Sequence, residues 1–390
     1  MTDTARSLLA HLRAHQEGMT ALLRDLTLLE SPSLDPASQE PVFARLAAEL
    51  EASGLRTRRL PGPAGRRSGG QLWAVRRGRR RGAPAQLLLG HCDTVWPAGT
   101  LERMPVEVRD GRLSGPGVYD MKAGLVQGIF ALRALRDLGL EPAAEPVFFI
   151  NSDEEIGSVE SLPRIEKLAR RVRRVFVLEP ALGPEGRLKT RRKGSLRFTI
   201  KVRGRAAHSG LDPEKGASAI LELARVIQTL YGLADPARGI TVNVGVVSGG
   251  LRANVVAPEA RAELDIRVMA TEDAMRLDRT VLGLTATTPG TSLEVLGGID
   301  RPPLEATPGN RVLWEAALRR AADLGIPLGE GTSGGASDGS LTSQIVPTLD
   351  GLGAVGDGAH AAHEHVVLDR GTERAALLAL LLLEPLTPWE

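Results

Sequence analysis

Short apolar runs recur along this chain, and between them lie stretches whose apolar residues fall at helical spacing. Residues 71–75, 86–90 and 146–151 are such runs, and residues 121–138 form a helical stretch between the last two. In the first 30 residues Leu8, Leu9, Leu12, Met19, Leu22, Leu23 and Leu26 follow a helical period that Pro32 ends. Further helices are predicted over 41–52, ending near Gly54, and over 162–170, just before a strand at 174–179. Strands alternating with helices predict an α/β layer built on a largely parallel sheet.

The middle of the chain has a different rhythm. Residues 194–203, 240–248 and 259–268 alternate like strands and 292–296 reads as a short fourth strand, while 215–230 and 271–284 read as helices. Two helices among four strands predict a compact α+β domain of the ferredoxin-like kind. After Pro302-Pro303 come a helix at 311–324, a strand at 346–351 and a closing helix at 370–383. A chain of 390 residues is long for one hydrophobic core. The expected organisation is a discontinuous catalytic domain, residues 1–190 and 301–390, with a smaller domain inserted at 191–300.

Hydrophobic residues at 42% and charged residues at 25% exclude a mainly disordered chain and a fibre. The single cysteine, Cys92, rules out a disulfide scaffold. A net charge of +2 gives no global reason to expect nucleic acid or an anionic membrane as partner. Arginine outnumbers lysine heavily, which fits genome composition better than a binding surface. The basic stretch 58–81 reads as a solvated hairpin and loop at a sheet edge, with few aromatic residues nearby to stack bases. The first 18 residues lack the apolar core of a signal peptide, and the longest apolar run, 375–383, falls short of the roughly 20 residues that span a bilayer. A cytoplasmic location is expected.

The chemistry-bearing residues sit where strands should end, which is where open α/β sheets bind ligands. The run 86–90 leads into His91-Cys92-Asp93, an imidazole beside a carboxylate that can orient it; alone, such a histidine is more often structural. The glycine-rich turn 115–119 ends in Asp120, either a ligand or a helix N-cap. Directly after the apolar strand 146–150 come Asp153, Glu154 and Glu155. Carboxylates crowded at a buried strand end repel unless a cation is present. One can then bind the metal while another serves as general base, the alternative being a solvated acidic helix start. Glu179 ends another strand, and residues 356–365 supply His360, His363 and His365.

Seven stretches in order, LLLGHCDTVWPAGT, SGPGVYDMKAG, INSDEEIGS, VLEP, GRAAHSG, SGGASD and GAHAAHEHV, resemble the co-catalytic di-zinc exopeptidases and amidohydrolases. That family includes glutamate carboxypeptidase, acetylornithine deacetylase, succinyl-diaminopimelate desuccinylase and the aminoacylases, and the early motifs look closest to the glutamate carboxypeptidase branch. The resemblance implies a zinc-hydrolase catalytic domain with an inserted lid and dimerisation domain, and a homodimer. It implies that His91 and Glu179 bind one zinc, Glu155 and His360 the other, and that Asp120 bridges both. Cobalt or manganese suits the same donors. Asp93 would orient His91, Glu154 would be the general base and then the acid, and the Asp120-Met121 bond would be cis. His360 stands four residues before Glu364, where the family places its last ligand; His363 is the alternative and His365 the third choice.

In the inserted segment, the resemblance gives His208 the role of reaching a partner's active site to stabilise an oxyanion. It places Asn254 and Arg267 near the substrate carboxylate, and Gly335 among the substrate contacts, although Gly-Gly-Ala-Ser-Asp departs from the commoner Gly-Gly-Thr-Asp. For Arg267 the competing reading is a structural pair with Asp265 or Glu263. The activity implied is hydrolysis of a peptide or N-acyl amide bond next to a free carboxylate. The alternatives are an N-acyl-amino-acid deacylase and, from another class, a metal-binding protein without catalysis.

Overall fold

The computed structural model describes residues 1–62, 68–78 and 82–387. The chain divides into two compact units, one comprising Met1–Thr190, Ala306–Ser333 and Ser337–Glu390, the other Arg191–Glu305 with Gly334–Ala336.

The first unit is built on a six-stranded sheet in the order Leu55–Pro61, Gly70–Arg76, Glu145–Asn151, Ala85–His91, Val175–Val177, Thr348–Leu349. The first two pairings in that order are antiparallel and the other three are parallel, so the sheet is mixed but mostly parallel. Its central strands Glu145–Asn151, Ala85–His91 and Val175–Val177 are largely apolar because both faces are covered. Leu88, Phe148 and Phe176 join one core with the helices Ala123–Asp137 and Leu368–Leu383, while Leu87, Leu89, Phe149 and Val175 join a second core on the opposite face. Two glycines are required by close approach. A Cβ on Gly90 would lie 2.7 Å from Leu125 Cδ2, and one on Gly124 would lie 2.0 Å from the Leu178 carbonyl oxygen.

The basic stretch folds in its described part as the hairpin of Leu55–Pro61 with Gly70–Arg76, and the first of these strands is the sheet edge. Residues 63–67 and 79–81 of that stretch lie outside the described residues. The N-terminal helical stretch is two helices, Asp3–Ala14 and Gln16–Leu28, which break at His15. A small sheet not anticipated from sequence runs Gly356–Asp357, His365–Val367, Arg112–Ser114, Glu107–Arg109. Its members are only two or three residues long, too short for any period to register.

The second unit has the order strand–helix–strand–strand–helix–strand: Gly194–Arg203, Ala219–Tyr231, Thr241–Gly249, Glu259–Val268, Thr271–Leu282 and Ser292–Arg301. All pairings are antiparallel, with Gly194–Arg203 central, the ferredoxin-like arrangement. Ala260, Ala262, Leu264, Ile266 and Val268 point to one side and pack with Leu223, Val226, Leu277 and Val281 from the helices. The last strand is twice as long as its sequence suggests. Gly297 and Gly298 interrupt its pattern, yet a Cβ on Gly297 would sit 2.1 Å from the Arg197 carbonyl oxygen, so the glycine admits the neighbouring strand.

Within the first unit, Glu49 on the helix Pro36–Ala52 ties that helix to Ala123–Asp137. Arg133 donates to it at 2.7 Å, and Arg45 also pairs with it. Burial opposes its charge, but the two guanidinium groups prevail and lower its pKa below the usual value. The folded state therefore binds this proton less readily than the unfolded chain, so the pairing stabilises above pH about 4.5 and is lost as pH falls below it. Glu49→Gln is expected to lower stability by about 1 kcal/mol at pH 7, with the difference shrinking as pH falls below about 4.5 in parallel denaturant titrations of the two proteins.

Candidate metal centre

His91 is the last residue of the strand Ala85–His91 and is almost wholly buried. Its Nδ1 lies 3.0 Å from the main-chain oxygen of Asp93, which can only accept. The neutral ring therefore carries its proton on Nδ1 and turns the Nε2 lone pair inward. Nε2 lies 3.3 Å from Asp120 Oδ1 and 3.6 Å from Glu179 Oε1. The other oxygen of Asp120 is 3.6 Å from His360 Nε2, which is 3.2 Å from Glu155 Oε2. Asp120 thus turns one oxygen to each histidine.

Each side chain is delivered by the end of an element. Glu179 follows Val175–Val177, the neighbour of His91's strand. Asp120 lies in an irregular turn of helix at Val118–Lys122, and the Asp120-Met121 bond is cis. Glu155 lies in the short turn Glu154–Ile156, three residues beyond the strand Glu145–Asn151. His360 occupies the loop between Gly356–Asp357 and His365–Val367, with φ of 61°.

Among the described residues, two groups have ligand-type atoms all within 4.8 Å of one another: His91, Asp120 and Glu179, and Asp120, Glu155 and His360. They share Asp120. His363 and His365 are in neither group; His365 Nδ1 instead meets the His363 carbonyl at 2.9 Å.

These donors suit divalent cations. His91 Nε2, Asp120 Oδ1 and Glu155 Oε1 are buried without a hydrogen-bond partner, a costly arrangement that a cation would relieve. Without one, protons compensate. Burial opposes charge on His91, but Asp120, Asp93 and Glu179 outweigh it and hold its pKa well above the usual imidazole value. Glu155 raises His360 to about 9. Burial, reinforced by Asp120, pushes Glu155 up to about 7.

The carboxylate of Asp93 does more than face His91, from which its Oδ1 is 3.4 Å away. It accepts from Ser33 Oγ at 2.7 Å and from the amides of Glu154 and Glu155 at 3.3 and 3.2 Å. It thereby fixes the turn that carries both glutamates. Sequence reasoning passed over three further supports. Asp153 accepts from the amides of Glu160 and Ser161, and burial pushes it up to about 6. Asp338 accepts from Asn151 Nδ2 at 2.8 Å and Ser158 Oγ at 2.5 Å, bracing the same loop. Glu364 is fully buried and accepts four N–H bonds. For Asp338 the signal was the acidic end of Gly-Gly-Ala-Ser-Asp; for Glu364 it was the regular spacing from His360.

The remaining candidates belong to the second unit. His208 is exposed, and its Nδ1 accepts from the amides of Gly210 and Leu211, both at 3.2 Å. Asn254 lies beside it in the backbone, its carbonyl accepting from the Ser209 amide at 3.1 Å. Arg267 lies on the sheet face opposite the helices and makes a two-pronged pair with Asp265 at 2.7 and 3.0 Å, the competing reading of that residue. The Gly335 carbonyl accepts from Arg192 at 3.1 Å. No helix among the described residues is long and apolar enough to cross a membrane.

The chain is similar in sequence and in fold to known proteins. Carboxypeptidase G2 of Pseudomonas sp. (strain RS-16) is 26% identical over 309 residues, which cover 78% of this chain and 74% of that protein. Succinyl-diaminopimelate desuccinylase of Paracidovorax citrulli is 30% identical over 371 residues, covering 87% and 91%. In fold, the aminopeptidase PepT of Bacillus cereus superposes with a TM-score of 0.77 at 21% identity, covering 94% of this chain and 98% of that one. The sequence profile of peptidase family M20/M25/M40 matches residues 87–384, from the strand that ends in His91 to the closing helix, and the chain belongs to that family.

Proposed function

We propose that this protein is a two-metal amidohydrolase that cleaves a peptide or N-acyl amide bond next to a free carboxylate. The observation that carries the reading is the pair of ligand groups sharing Asp120. His91, Asp120 and Glu179 would hold one cation and Asp120, Glu155 and His360 the other; zinc is the first choice, with cobalt and manganese compatible. When bound, such cations polarise a carbonyl and make water more acidic. Glu154, next to Glu155 on the turn fixed by Asp93, takes the proton of the attacking water and passes it to the departing amine.

His208 supplies the complementary charge stabilisation. Because its Nδ1 accepts two amide hydrogens, its neutral ring presents Nε2–H, the donor a developing oxyanion requires. We assign this contact to a second copy of the chain in a homodimer formed through the inserted unit. Asn254 would contact the substrate beside His208, Gly335 would offer a backbone contact, and Arg267 would meet a substrate carboxylate only by leaving Asp265. The near-balanced charge favours a small substrate in the cytoplasm over nucleic acid or membrane.

The leading substrate is a C-terminal glutamate amide. The long match to a desuccinylase keeps N-acyl amino acids as the second reading. The test begins with chelation and stepwise zinc return. Two equivalents per chain should bind and restore hydrolysis. The restored protein is then assayed on dipeptides with a C-terminal glutamate and on N-acetyl and N-succinyl amino acids. A higher kcat/KM on an N-acyl set assigns the deacylase reading; two bound metals with no hydrolysis of any set overturn both.

A further inference from the structure

The Glu364 carboxylate accepts four hydrogen bonds, all from N–H groups of two distant motif segments. Its Oε2 accepts from Trp96 Nε1 at 2.8 Å and the Gly117 amide at 2.9 Å. Its Oε1 accepts from the Tyr119 amide at 2.9 Å and the Asp120 amide at 3.1 Å. All four partners are donors, so both carboxylate oxygens act as acceptors throughout. The residue is wholly buried, and no basic side chain pairs with it within 4 Å in the described residues. Its charge is therefore spent on backbone amides and one indole.

The connections are between parts of the chain that lie about 245 to 268 residues apart in sequence. Trp96 lies five residues beyond His91, and Gly117–Asp120 is the turn that presents Asp120. Glu364 itself ends the loop of His360: its amide bonds the Ala361 carbonyl at 2.9 Å, and its carbonyl accepts from the Gly115 amide at 3.3 Å. One side chain thus ties the segment after His91, the turn of Asp120 and the loop of His360.

We propose that Glu364 is a positioning residue for the metal centre: by clamping the Gly117–Asp120 turn against the His360 loop, it sets the aim of Asp120 so that one oxygen serves each cation. This rests on the two-metal reading. It adds that occupancy of the two sites is coupled through a residue that touches neither cation. Glutamine at this position keeps the shape, but its NH₂ group faces two of the four donors, so the turn must shift.

The test is Glu364→Gln. Zinc affinity at each step is measured calorimetrically from the metal-free protein, and the Co²⁺-loaded protein is examined by visible absorption. The expected result is a fall on the order of 10–100-fold in affinity for at least the second cation, with altered Co²⁺ ligand-field bands, in protein that still unfolds cooperatively when metal-free. Both affinities within twofold of wild type with an unchanged Co²⁺ spectrum would overturn the proposal, as would a lowered melting temperature alone. If Glu364→Gln does not fold, Trp96→Phe decides: it removes one donor, and a loss of threefold or more in second-cation affinity supports the clamp whereas a change under twofold overturns it. Wild-type protein that binds only one cation would instead overturn the two-metal reading, whichever way the variants behave.

Discussion

Glu154→Gln is expected to reduce turnover by roughly 10²–10⁴-fold while two metals per chain are retained. Glutamine matches glutamate in size and keeps the amide that bonds Asp93 Oδ1 at 3.3 Å, so the turn should stay in place and deliver Glu155 as before. What is lost is a group able to take a proton and return it. The loss should appear in kcat, with KM within a few-fold of wild type, because the interaction matters in the transition state more than in substrate binding. Metal analysis of the same preparation separates this from a damaged centre. A variant with full metal content and turnover within tenfold of wild type would move the base to another group.

Asp120→Asn should do the opposite: metal content falls first and turnover follows. Asp120 is the one residue common to both ligand groups. An asparagine keeps one oxygen but replaces the other with a donor and removes the charge, so one histidine would face an NH₂ group. The expected loss of cation affinity exceeds the roughly 10–100-fold that follows removal of an outer partner. Glu179→Gln and Glu155→Gln should each weaken mainly one site. Competition with a chelating dye reads both affinities, and an Asp120→Asn protein that holds two zinc ions at wild-type affinity would remove Asp120 from the bridge.

The fold was legible where the physics is periodic. Leu87, Leu88 and Leu89 serve two cores on opposite faces, and a strand buried on both faces must be apolar at every position. The ferredoxin-like unit was readable for the complementary reason, since one face of Glu259–Val268 is covered and the other open. Breaks in period misled: Gly297 and Gly298 hid half of a strand, and the split at His15 went unseen because Leu12 and Met19, seven residues apart, keep the helical spacing across it.

The candidate ligands could be named because polar residues at the ends of apolar strands stand out against their surroundings. Their supports could not. Glu364 and Asp338 lie in loops and bond to groups some 180 to 270 residues away, and no local pattern encodes such a partner. The hold on His91 was also only partly foreseen, because a main-chain carbonyl, which every residue has, provides the nearer contact.

The spacing of the ligands along the chain has a consequence for biosynthesis. His91, Asp120, Glu155 and Glu179 all precede the strands of the second unit, whereas His360 is 30 residues from the end of the sequence. A ribosome making this protein would finish one complete ligand group and two-thirds of the other before translating the whole ferredoxin-like unit. Nascent chains halted anywhere between Glu179 and His360 would then carry the ligands for one cation but not for the second, so the second candidate site is completed only after the ferredoxin-like unit has been made.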